Sequence, residues 1–155
     1  MKVDLLVVFW KLNCKQQYTI TKEEFINGFT NLGFTNLEEL KKGIPKLKDE
    51  FKQNKKSFQK FYKFVFDYSR PNQNANVLPL EIAIPTWKLV LEGKYDRLED
   101  WSIFMENQKA VSKDLWDQFL RFIDVKDIKS INFEEEAWPL AMEDFIIYLK
   151  KNNKI

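Results

Sequence analysis

The run Thr21-Lys22-Glu23-Glu24-Phe25-Ile26-Asn27-Gly28-Phe29-Thr30-Asn31-Leu32-Gly33 carries both ends of one helix in its own chemistry. Thr21 and Glu24 stand three residues apart, the spacing at which each side chain reaches the other's backbone N–H as a capping box. Gly33 stands where a glycine closes a helix in the left-handed conformation. The same opening signal recurs at Asn36 and Glu39 and predicts a shorter helix ending near Gly43. Upstream, residues 3–12 read as a strongly apolar helix. Downstream, Phe58, Phe61, Tyr62, Val65 and Tyr68 share one face of a long one. Residues 71–77 form a polar loop, and helices are predicted over 80–92, 95–108, 112–124 and 139–150. Trp116, Phe119, Leu120 and Ile123 share a side of the third of these, and Ala141, Phe145, Tyr148 and Leu149 a side of the last. Alternation of the strand kind is nearly absent. The expected fold is all-α.

The bulk composition supports one helical body spanning 1–155. A chain of 155 residues suits a single domain with a sizeable core, and only four Gly and five Pro interrupt it. Fourteen Phe and five Trp imply a heavy aromatic core with apolar grooves. The net charge of +2 gives no reason to expect nucleic acid. That balance conceals two halves. Nine Lys face two acids between Lys41 and Lys63, whereas fourteen acids face seven bases between Glu92 and Asp144. The apolar run Leu5-Leu6-Val7-Val8-Phe9-Trp10 is too short to span a membrane and lacks a signal-peptide cleavage site.

Chemistry of its own is poorly provided for. The chain has no His and a single Cys, Cys14, which excludes an internal disulfide and fits a reducing compartment. Cys14 has no base to activate it, and no glycine-rich phosphate loop is present. Residues 13–25 have the outline of an EF-hand, with Ile20 at the eighth loop position and Glu24 at the twelfth. The other ligand positions hold Asn13, Lys15 and Gln17, and Tyr18 replaces the turn glycine. An ammonium cannot coordinate a cation, so the loop reads as a degenerate EF-hand-like helix pair without metal. A second loop, 71–82, carries no carboxylate until Glu81. No cofactor is expected. The alternative left standing is a calcium-sensor-type EF-hand-like protein whose aromatic groove binds a target helix.

The last third holds the most distinctive grouping. Ser112-Lys113-Asp114-Leu115-Trp116 is followed by Glu134-Glu135-Glu136-Ala137-Trp138-Pro139 and then Glu143-Asp144-Phe145. Trp10-Lys11, Gly28-Phe29-Thr30, Ile44-Pro45 and Phe61-Tyr62 precede it, as do Glu81-Ile82-Ala83-Ile84 and Trp87 with Leu89-Val90-Leu91. In order and spacing this set resembles the potentiating-neddylation (cullin-binding) domain of the defective-in-cullin-neddylation, or Dcn-like, family over nearly the whole chain. The resemblance implies a domain without the family's preceding helical segment, working in the cytoplasm or nucleus. It implies a non-catalytic, scaffold-type ligase component of the ubiquitin-like conjugation pathway. Such a protein binds the winged-helix end of a cullin and the N-acetylated tail of the neddylation conjugating enzyme, promoting transfer of the modifier to cullin. By the same resemblance the cullin surface falls on Asp114, Ala137 and Glu143, with Asp144 beside it; Glu143 replaces the family's Asp. The socket for the acetylated tail falls on Leu5, Val8, Gln17, Tyr68 and Leu89, Tyr68 standing where Phe is usual.

Overall fold

A computed structural model describes residues 3–155. The chain divides into two compact units, one ending at Ser69 and the other spanning Arg70–Ile155.

The first unit is four helices: α1 (Val3–Lys11), α2 (Lys22–Leu32), α3 (Leu37–Gln53) and α4 (Lys55–Ser69). The apolar surface of α1 is covered by α3 and α4, which buries Leu6, Val7, Val8 and Phe9. Trp10 meets Phe51 and Phe61 at centroid distances of 5.6 Å each, and Phe51 stacks on Phe61 at 5.0 Å. The ends of α2 form as their sequence requires. Thr21 Oγ1 accepts from the Glu24 N–H and Glu24 Oε2 from the Thr21 N–H, both at 3.0 Å. Gly33 takes φ +75°, and the Phe34 N–H closes back on the Phe29 carbonyl at 2.9 Å, with the two rings in edge contact. Gly28 of α2 sits against Leu12, the residue just after α1, and a Cβ there would run into it.

Gly43 does not end the next helix. α3 passes through Gly43 and Pro45 to Gln53. The Phe34 ring lies against Gly43, so that glycine makes room for packing rather than a turn. Pro45 and Lys41, one turn back, are both exposed, which leaves the carbonyl freed by the proline within reach of water. The break comes at Asn54. It ends α3, and its side chain accepts from the Lys56 and Ser57 N–H groups to open α4.

The second unit holds β1 (Val77–Pro79), α5 (Leu80–Val90), α6 (Leu98–Met105), β2 (Ala110–Ser112), α7 (Lys113–Ile123), a 3-10 turn (Ile128–Ser130) and α8 (Leu140–Lys151). The two strands pair antiparallel, with Leu78 opposite Val111 and Val77 opposite Ser112. Each strand runs straight into a helix, so the small sheet sets where α5 and α7 begin. Leu78 and Val111 are fully buried beneath it. Trp87 stacks on Trp116 at 5.1 Å, Trp101 on Phe119 at 4.2 Å, and Phe145 meets Trp101 edge-on at 5.1 Å. All of these rings are fully buried. Buried aromatics of this size dominate the stability of a small core. Among the described residues no helix is long and apolar enough to cross a membrane.

Candidate functional site

Asp114 is positioned by the sheet. Ser112 is at once the last residue of β2 and the N-cap of α7, its hydroxyl accepting from the Leu115 N–H at 3.1 Å. With the cap supplied by Ser112, Asp114 stands exposed in the first turn, where a carboxylate is favoured by the unpaired N–H groups of the helix start. No hydrogen bond or ion pair from the described residues engages its side chain.

Asp114 and Arg121 lie seven residues apart on the same face of α7, about 10 Å along its axis. The Arg121 guanidinium stacks over the Trp138 ring at 3.9 Å, and Trp138 also meets Phe122 edge-on at 5.8 Å. The Trp138 indole N–H donates to Glu136 Oε2 at 2.6 Å. This pins the segment between the 3-10 turn and α8 to the end of α7 and leaves Ala137 exposed beside the tryptophan. The acidic run is itself a folded turn. The Asn132 side chain accepts from the Glu134 N–H at 3.0 Å, and its carbonyl from the Glu136 N–H at 2.9 Å.

Glu143 lies in the first turn of α8 and faces solvent, while Asp144 beside it is half-buried. Phe145 points inward onto Trp101, Phe104 and Phe122. The four residues expected from the sequence to meet a cullin all belong to the second unit, at the starts of α7 and α8 and on the segment that precedes α8. Sequence reasoning missed their apolar companions. Leu140 and Ile147, on the same face of α8 as Glu143, are 69% and 56% exposed. The signal was available in their spacing of seven from one another.

Of the expected socket residues, Leu5, Val8, Gln17 and Tyr68 lie in the first unit. Leu5 and Val8 share a face of α1, Leu5 exposed and Val8 buried. Tyr68 is buried between Phe9 and Phe64, stacked at 5.2 and 5.4 Å. Its hydroxyl oxygen accepts from the Tyr18 N–H at 2.8 Å, which ties α4 to the residue next to the half-buried Gln17. Leu89 is half-buried near the end of α5 and belongs to the second unit.

The loop of EF-hand length is held by side chains of the protein. Glu24 Oε1 accepts from the Lys15 N–H at 3.4 Å and Oε2 from the Thr21 N–H. Burial, with the Glu24 carboxylate alongside, pushes the Cys14 thiol up to about 11, which keeps it protonated and unreactive near neutrality. Among the described residues no group of three His, Cys, Asp or Glu side chains is placed to hold a metal ion.

The second unit thus presents exposed acidic and apolar side chains at the starts of α7 and α8 and on the segment before α8. Residues 39–148 match the family described as cullin binding, and the chain belongs to that family. It is 32% identical over 151 residues to DCN1-like protein 3 of Drosophila melanogaster, covering 94% of this chain and 44% of that protein. It is 28% identical over 138 residues to Defective in cullin neddylation protein 1 of Yarrowia lipolytica, covering 86% and 57%. With DCN1-like protein 2 of Dictyostelium discoideum it shares 27% over 154 residues, covering 98% and 58%. The chain spans about half the length of the curated relatives it matches.

Proposed function

We propose that this chain promotes cullin neddylation as a scaffold without catalytic residues of its own, gripping a cullin C-terminal winged-helix domain and the N-acetylated tail of the conjugating enzyme. The observation that carries the reading is the exposed placement of Asp114, Ala137 and Glu143 in the second unit of a cullin-binding family member. Asp114 and Glu143 offer carboxylates to basic side chains, Asp144 stands in reserve beside Glu143, and Ala137 gives little bulk, so that the partner's backbone comes close. Holding the loaded conjugating enzyme near the acceptor lysine raises the transfer rate by effective concentration and orientation. No bond need be made or broken by this chain. The proposed workplace is the cytoplasm or nucleus.

For the acetylated tail, the proposed contacts in the first unit are Leu5, Val8, Gln17 and Tyr68. A free α-amino group is charged near neutral pH and costly to bury without a partner. Acetylation removes that charge and leaves an amide, for which Gln17 is the proposed polar partner, while the flexible thioether of an N-terminal methionine fills the apolar remainder. The test is a reconstituted cullin-modification reaction with and without the chain. Faster modifier transfer in its presence supports the reading, and an unchanged rate overturns it.

A further inference from the structure

We infer that the acidic grip is the rim of an apolar ridge on α8, and that Leu140 and Ile147 are the anchors on which cullin affinity depends. The inference rests on the cullin-binding reading above and adds to it the residues that hold the partner once it arrives. Leu140 opens α8 directly behind Pro139, Glu143 follows one turn on, and Ile147 one turn further. Three, four and seven residues apart, they form one line along the helix. The leucine is 69% and the isoleucine 56% exposed, while Phe145, Ile146 and Leu149 of the same helix are buried. The helix is thus already anchored to the core by its inner face, and the outer pair does no folding by burial. Isolated exposed apolar residues need no explanation, but these two flank the exposed Glu143 and the half-buried Asp144 and follow Ala137 by three and ten residues.

The arrangement fixes the chemistry of the partner surface. Its floor must be apolar, to receive a leucine and an isoleucine about 10 Å apart on a helix. Its border beside Glu143 must be basic, because that end of the ridge carries Glu143 and follows the exposed run Glu134, Glu135 and Glu136, whereas the far end carries the exposed Lys150 and Lys151. In interfaces of this kind a few desolvated side chains at the centre carry most of the affinity, and charges at the rim set encounter rate and specificity. The basic border matches the chain's acidic half. An apolar floor alone, without cationic edges, would leave these carboxylates desolvated and unpaired.

The experiment compares Leu140→Ala, Ile147→Ala and Glu143→Gln for binding to a cullin C-terminal domain by surface kinetics at low and high salt. Circular dichroism confirms that each exposed substitution leaves the helices intact. Leu140→Ala is expected to weaken binding by about 10- to 30-fold, chiefly through faster dissociation and to the same extent at both salt concentrations. Glu143→Gln is expected to slow association by about three-fold at low salt and to lose that effect at high salt. If the unaltered chain binds and both apolar variants bind as tightly, the ridge is not the anchor. If the unaltered chain itself does not bind, the cullin-binding reading fails instead, so the two failures are told apart.

Discussion

The Tyr68 hydroxyl and the Tyr18 backbone N–H, fifty residues apart in sequence, meet at 2.8 Å with the phenol oxygen as acceptor. Tyr18 holds a φ of +58° and Asn13, at the other end of the same loop, +55°. Left-handed backbone at a bulky residue is costly and persists only where surroundings over-determine it. Here the surroundings are the Tyr68 oxygen at one end and the Glu24 carboxylate, accepting from Lys15 and Thr21, at the other.

Replacing Tyr68 by Phe keeps the rings that stack on Phe9 and Phe64 and removes only the acceptor. The expected cost is about 1 kcal/mol, the net worth of one hydrogen bond, because Tyr18 is exposed and water can reach its freed N–H. Amide exchange localises the effect. The Tyr18 N–H should lose protection while the α1 and α4 amides keep theirs, and affinity for an acetylated conjugating-enzyme peptide should fall with the loosening of Gln17. Unaltered exchange at Tyr18 would show that the bond has no part in holding the loop.

Acid stability follows from Glu50. The Lys11 ammonium, donating at 3.0 Å, holds this carboxyl below the usual carboxylate range; burial opposes the shift and the Ser57 hydroxyl adds to it. A carboxyl with a depressed folded-state pKa contributes stability above the unfolded value, about 4.3, and that contribution is lost as pH falls through the lower folded value. Lys11→Met should therefore lower stability at pH 7 and narrow the gap between pH 7 and pH 3. Parallel urea titrations of the two proteins at both pH values read this directly. Equal gaps would mean that the pair is silent.

Cys14 gives the opposite sign at the alkaline end. Its thiol is held at about 11 by burial and the neighbouring Glu24 carboxylate. A raised folded-state pKa means that stability is fully present below the unfolded value, about 8.5, and declines as pH rises towards the folded one. Cys14→Ala should flatten that decline between pH 8.5 and 11. In the unaltered protein, alkylation by iodoacetamide at pH 8 should be slow until denaturant is added; rapid labelling of the folded protein would contradict the assignment.

What the sequence disclosed and what it hid divide by range. Thr21, Glu24 and Gly33 act through neighbours a turn away, so their reading as helix ends is confirmed bond for bond. Gly43 and Pro45 carry local break signals too, but Phe34 packs on the glycine and the apolar face of α3 continues through Leu47 and Phe51, so tertiary packing overrode them. The strands Val77–Pro79 and Ala110–Ser112 are three residues each and pair across more than thirty, a combination with no periodic signature. Asp114 is reached only through the family resemblance; that Ser112 caps α7 and leaves Asp114 exposed is what the structure adds. The fully buried Phe122 was not legible, since its spacing from Phe119 places it at the edge of the inner face. The partner of the Tyr68 hydroxyl was beyond reach, because a backbone N–H in a distant loop leaves no mark on side-chain pattern.

The sheet-to-helix junction yields the last prediction. Ser112→Ala should remove the cap of α7 at a cost of about 1 kcal/mol and leave the Leu115 N–H open. Asp114 is then the nearest acceptor able to turn back towards the helix start, at the expense of its outward position. Two effects are therefore expected together, a modest drop in melting temperature and weaker cullin binding, the second comparable with that of Asp114→Ala. A control variant, Ser112→Asp, restores a capping oxygen and should recover both. Calorimetric titration of the three variants with a cullin C-terminal domain separates a positional effect from simple destabilisation. If Ser112→Ala loses stability but binds as tightly as the unaltered chain, the cap supports the fold without aiming Asp114.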